Sequence, residues 1–400
     1  MRIQVISEQA PHDGVAMRPH VQSAPPSSYG PWRPKVALGA DSVFGLLLPD
    51  AKPTRSALYA PRGVWLDDER VIATDSGNHR VLIWHGRPDR DGAPADVVLG
   101  QPDAHSEGPA AGGAGPRIGM HLPTGVIVDQ GRLVVADAWH HRILVWNRVP
   151  EQTATPPDHV VGQAGPEDVL PNAGGAANAA SFYWPFGIGI VDGLFYVCDS
   201  GNRRVLIWRD GLPLDGRPAD VVLGQSDAHG RAENRGAAAG PDSFRWPHAV
   251  AGTGRGGVVI ADAGNHRLLR WDAHPDGDRP ADGVLGQPDF NSADEFPYVS
   301  QEGRLRFPYG VAGPPGLALA DTANNRVLLW NDCPVADCAP DAVLAQPDLA
   351  AAGENRWQAV ADDTLCWPYG LAVAGHELAI ADSGNNRVVL WERAASERGE

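Results

Sequence analysis

Thr74 to Trp84 reads TDSGNHRVLIW, and the stretch returns five more times: ADAWHHRILVW at 136–146, CDSGNRRVLIW at 198–208, ADAGNHRLLRW at 261–271, ADTANNRVLLW at 320–330 and ADSGNNRVVLW at 381–391. Its aspartates, at 75, 137, 199, 262, 321 and 382, are spaced by 62, 62, 63, 59 and 61 residues. So regular a period means stacked supersecondary units. Within each copy, aliphatic and β-branched residues flank a centre of Asp, Ser, Gly and Asn, which is turn chemistry, so each copy is a strand, a tight turn and a strand. The arginine after the turn is placed to pair with the aspartate before it, within one unit or across two. Because every unit has this pair, its expected role is structural. The closing tryptophans, Trp84, Trp146, Trp208, Trp271, Trp330 and Trp391, are expected to pack between neighbouring units.

Two further motifs flank each hairpin. Before it stand APRGVWL at 60–66, LPTGVIV at 122–128, WPFGIGI at 184–190, WPHAVAG at 246–252, FPYGVAG at 307–313 and WPYGLAV at 367–373. After it come VVLGQPD at 97–103, HVVGQAG at 159–165, VVLGQSD at 221–227, GVLGQPD at 283–289 and AVLAQPD at 342–348. Each unit thus supplies four strands, and six such units build an all-β, six-bladed β-propeller of four-stranded antiparallel blades. The apolar stretch 35–48 reads as a strand, and FGLLLPD at 44–50 reads as a worn fourth-strand motif. The chain then opens on a fourth strand and closes on a third. An N-terminal strand over 36–48 is therefore expected to complete the C-terminal blade beside 385–392. The predicted organisation is a mobile tail over 1–33, a single propeller over 34–393 and a short tail over 394–400.

Composition narrows the function classes. A net charge of −16, with Lys35 and Lys52 the only lysines, disfavours nucleic-acid binding. No apolar run is long enough to span a membrane, and the first residues lack the order of a secretory signal, so the expected location is cytoplasmic. Four cysteines make no disulfide framework. Cys198 and Cys366 read as strand residues, while Cys333 and Cys338 share a loop and are expected as free thiols.

The hairpins resemble the NHL repeat, named for its Asn-His-Leu core. Asn78-His79 and Asn265-His266 carry the resemblance, with Asn-Arg or Asn-Asn variants at 202, 324 and 385 and His140 in the Asn place of the second unit. The resemblance covers about residues 36–393. Its VLGQPD strands look like the bacterial branch of the family. It implies the propeller fold and leaves function open, because the family includes ubiquitin-ligase substrate adaptors, RNA binders and a zinc lyase. In the related peptide-amidating lyases, zinc is held by histidines between the Pro and Gly of the first strand. The matching positions here are Arg62, Thr124, Phe186, His248, Tyr309 and Tyr369. One histidine and no carboxylate make neither a zinc nor a calcium site, so no metal or other cofactor is expected. This ring either plugs the channel or holds a planar or anionic small molecule by stacking and charge.

No catalytic constellation stands out. Ser76, Ser200 and Ser383 lie beside aspartates, but they are turn residues repeated around the ring. What does break the symmetry is the set of long loops at 104–121, 166–183, 228–245, 290–306 and 349–366. Two of them carry Phe296, Tyr298, Arg304, Arg306, Arg356 and Trp357, residue types that dominate binding hot spots. The leading expectation is a non-enzymatic interaction scaffold or accessory subunit that binds a protein partner on this face. A hydrolase or lyase at the channel mouth, and a small-molecule sensor, are the alternatives.

Overall fold

The computed structural model describes residues 27–39, 53–295 and 302–394. Among them, six four-stranded antiparallel sheets are arranged around an axis, each built in the order first to fourth strand. Blade one comprises Gly63–Asp67, Arg70–Asp75, Arg80–His85 and Val97–Leu99. The first strands of the other five begin at Pro123, Pro185, Pro247, Pro308 and Pro368. Each first strand lies beside the first strands of both neighbouring blades, and that of blade six lies beside that of blade one, so the ring is closed.

Each hairpin turn is a three-residue 3-10 turn between the aspartate and a residue held left-handed: His79, His141, Arg203, His266, Asn325 or Asn386, with φ of 53–57°. Sheets pack face to face through shared cores. Ile72, Ile83 and Val97 of blade one, for example, meet Val126, Val135 and Trp146 of blade two. The six repeat tryptophans are buried in these interfaces, as expected. In five blades the indole N–H donates to a carbonyl in the connection between third and fourth strands, at Ala93, Thr155, Arg217, Arg279 and Cys338. In blade six that connection does not exist, because the fourth strand comes from the other end of the chain. Trp391 Nε1 is accordingly buried without an acceptor among the described residues, and Tyr29 packs edge-on against its ring instead.

The strand that closes blade six is Trp32–Gly39, antiparallel to Arg387–Arg393. Closure by an N-terminal strand is as expected, but its position differs. Val36, Ala37 and Leu38 face Leu390, Val389 and Val388, the register that Val97, Val98 and Leu99 take against Ile83, Leu82 and Val81. The fourth-strand motif is therefore VALG at 36–39. The FGLLLPD stretch at 44–50 lies outside the described residues. The packed chain also starts earlier than 34: Ser27–Tyr29 forms a 3-10 turn, and Tyr29 is fully buried, its hydroxyl donating to Asp363 O at 2.9 Å.

Candidate functional site: the channel mouth and the loop face

The invariant Asp–Arg pair organises the face on which the candidate residues lie. Asp199 accepts from Arg204 Nε at 2.8 Å, from Asn202 Nδ2 at 2.7 Å and from the Tyr183 N–H at 2.7 Å. The remaining Arg204 nitrogens reach Ala228 O in the loop leaving the blade and Asn178 O and Ser181 O in the loop entering it. Both charges are fully buried. The other blades repeat the pairing within a single blade, with Nε–Oδ2 separations of 2.7–2.9 Å. In blades one to five the pair thus clamps the entering and the leaving loop over the blade, while Arg387 of blade six holds the entering loop at Ala361 O and Thr364 O.

A second tie runs between blades. The backbone N–H of Leu122 donates to His79 Nδ1, that of Trp184 to His141 Nδ1 and that of Phe307 to His266 Nδ1, at 3.1–3.2 Å. Asn325 and Asn386 accept in the same way from Trp367 and Ala60. A backbone N–H can only donate, so each of these histidines must present a bare Nδ1. Burial agrees, pushing His79, His141 and His266 down to about 4. Blade three has Arg203 here, which cannot accept, and its would-be donor Trp246 takes a φ of 142° where its counterparts lie at 47–53°.

The six ring positions come together at the channel mouth, around a cavity of about 90 Å³. Local backbone explains their aim. In blades two to six a β-bulge falls between the strand's proline and the resumed ladder, which leaves the ring residue unpaired and turns it toward the axis. The glycine that follows is required by close approach: a Cβ at Gly63, Gly187 or Gly310 would collide with the carbonyl of Thr124, His248 or Tyr369 in the next blade.

Four of the rings lie against one another in succession, the first pair tilted and the other two stacked. Phe186 and His248 have centroids 4.5 Å apart, His248 and Tyr309 4.4 Å, and Tyr309 and Tyr369 4.7 Å. Arg62 continues the belt, its Cζ 5.3 Å from the Tyr369 ring, 6.0 Å from Phe186 and 5.8 Å from Trp139. Thr124 is buried, and its hydroxyl donates to Phe186 O at 2.8 Å, so it braces the ring without extending the belt. His248 Nδ1 lies 2.8 Å from Trp246 O, and burial, reinforced by Arg62, pushes the imidazole down to about 4. With Nδ1–H donating to that carbonyl, Nε2 is left as a bare acceptor. Burial also pushes the Tyr309 and Tyr369 hydroxyls up.

Trp139 and Trp184, 5.3 Å apart, extend this aromatic surface over blades two and three. Sequence reasoning passed over both, although Trp139 carried a signal: it stands where the other five turns have Gly or Ala.

The loop-face candidates separate. Arg356 is turned inward, bound to Asp363 Oδ2 at 2.6 Å and donating to the Tyr29 hydroxyl at 2.8 Å. Arg306 pairs with Glu295 at 2.7 Å and donates to Ala323 O. Arg304 is half-buried and gives its carbonyl to the Arg326 clamp. Phe296 and Tyr298 lie outside the described residues. Among the described candidates of this face, Trp357 alone stands open, 82 % exposed. It ends the turn Glu354–Trp357 with a φ of 57°, where the sister turns end in Gly174 and Gly236 at 78° and 80°. Trp367 is 49 % exposed, its indole N–H donating to Glu354 Oε1 in the same turn.

A family model for the NHL repeat matches residues 120–146, the first strand and hairpin of blade two. The chain is a six-bladed β-propeller that carries an NHL repeat. No curated protein sequence matches it. Solved structures similar to the NHL chain include the WD40 propeller domain of Doa1, at 11 % identity and TM-score 0.47, covering 92 % of this chain and 99 % of that one. Virginiamycin B lyase from Staphylococcus aureus is similar at 10 % identity and TM-score 0.43, with 85 % and 97 % covered. A Bacteroides thetaiotaomicron protein of unknown function is similar at 11 % and 0.46, with 90 % and 75 % covered. Among the described residues of the NHL propeller, no three His, Cys, Asp or Glu side chains converge as metal ligands, and no helix is long and apolar enough to cross a membrane. The cysteines are free, Cys333 buried and Cys338 exposed.

Proposed function

We propose that this NHL propeller is a non-enzymatic interaction scaffold that binds a protein partner through its long-loop face, with the exposed Trp357 as anchor. The observation that carries this reading is the conformation of Trp357. A bulky residue is placed left-handed, where the sister loops use glycine, and most of its surface is left to solvent. A strained backbone whose side chain rests only over Gly353 and is otherwise open points to use of that side chain elsewhere. Trp is also the residue type most enriched among interface hot spots. Trp367 and Glu354 beside it supply a second aromatic and an acidic acceptor. The Asp–Arg clamps hold these loops on a rigid ring, so a partner meets a preformed surface and the ordering cost of binding is small. The test is affinity capture from native lysate with the wild-type chain and Trp357→Gly. A partner retained by the first and lost by the second supports the proposal. Equal capture by both removes Trp357 from the interface and with it this reading.

A further inference from the structure

From the channel mouth we infer a second site, for the carboxylate group of a small molecule, with Arg62 as its cationic anchor. Among the described residues, Arg62 is the single charged side chain lining the cavity, and no carboxylate lines it. Its guanidinium makes no ion pair and no side-chain hydrogen bond among the described residues; its charge is met only by the faces of Tyr369, Phe186 and Trp139. Ring faces offset part of a cation's charge but give its N–H groups no oxygen acceptor. Arginine carries its N–H donors in a planar fork, the geometry that receives a carboxylate in two parallel hydrogen bonds.

The wider chain makes this arrangement pointed. The protein carries 49 acidic residues against 33 basic ones. Arg62 is held away from them by its own aromatic belt. The Tyr309 and Tyr369 hydroxyls also have no protein partner among the described residues and line the same cavity, adding two neutral donors. A volume of about 90 Å³ holds roughly three water molecules, the size of one carboxylate group and not of a whole drug-sized ligand. The rest of such a ligand would extend outward, over Trp139 and Trp184.

The experiment is calorimetric titration of the full chain with sodium formate, acetate and benzoate, ionic strength being held constant with sodium chloride. Saturable binding of at least one carboxylate is expected. Arg62→Gln, which keeps a side chain in the belt, should weaken it by about tenfold or more, the loss expected for charge-assisted hydrogen bonds. Tyr369→Phe, which keeps the stack and removes only the hydroxyl, should weaken it less. Trp357→Gly should leave it unchanged, which keeps this site's fate separate from that of the loop face. Melting curves of each variant establish that it is folded. Absence of saturable binding to the wild type, binding that survives Arg62→Gln intact, or binding of inorganic phosphate in place of the carboxylates would each overturn the inference.

Discussion

Replacing Trp357 with glycine separates an interface residue from a structural one, because the two roles predict opposite pairs of numbers. An indole that is 82 % exposed keeps under a fifth of its surface out of water. A tryptophan has on the order of 250 Å² to bury, so roughly 45 Å² is lost, or about 1 kcal/mol. Against this, the left-handed backbone costs a residue with a Cβ about 1–2 kcal/mol, which glycine does not pay. The sister turns already end in Gly174 and Gly236. The two effects nearly cancel, so stability should change by no more than about 1 kcal/mol and the midpoint of thermal unfolding by no more than about 4 °C. Partner affinity should fall by about 2 kcal/mol or more, roughly thirtyfold. A fully buried repeat tryptophan such as Trp208, cut to alanine, gives the contrast, at about 3–5 kcal/mol of lost stability. Differential scanning calorimetry and a binding titration on the captured partner read both quantities. Early melting of Trp357→Gly with affinity intact would show the residue to be structural and the reasoning wrong.

Three other outcomes follow from the same geometry. Arg204→Ala should lose about 3–5 kcal/mol in urea unfolding, because it strands Asp199 and three loop carbonyls, whereas replacing Asp199 and Arg204 together with apolar residues should cost less than the single change; equal losses would mean that the clamp is not the source. His79, His141 and His266 have folded values near 4, below the unfolded value of about 6.5, so their contribution is fully present above pH 6.5 and is lost as the pH falls toward 4, at up to about 1.4 kcal/mol per pH unit for each histidine. His266→Asn, which copies the acceptor used by Asn325 and Asn386, should flatten that slope by one histidine's share in unfolding measured between pH 7 and 5, and an unchanged slope would refute the assignment. Deleting residues 1–39 should expose the Arg387–Arg393 edge and promote self-association visible by light scattering; a truncated chain that stays monomeric and melts like the full one would contradict closure by Trp32–Gly39.

Much of this architecture was legible in residue order. The Asp–turn–Arg hairpin, the Pro and Gly of the first strand and the closing tryptophan recur because each answers a local demand: a turn, a bulge, a close backbone approach. Six repetitions made the propeller and its closure by an N-terminal strand readable, and the same alignment brought Arg62, Phe186, His248, Tyr309 and Tyr369 to one mouth. Local pattern could not choose between two apolar runs for the closing strand, because register there is set by Val388 to Leu390, some 350 residues away. Nor could it tell which loop residues stay free. Arg356 is occupied by Tyr29, 327 positions distant, and Arg306 by Glu295, while Trp357 finds no such partner and stays in solvent. Trp391 lacks its acceptor for the same kind of reason, since joining the two chain ends in blade six removes the connection that serves the other five indoles. Residue order determined what each unit is. The satisfaction of each polar group, and so the open or closed state of each candidate site residue, depended on atoms that only the closed ring brings within hydrogen-bonding distance.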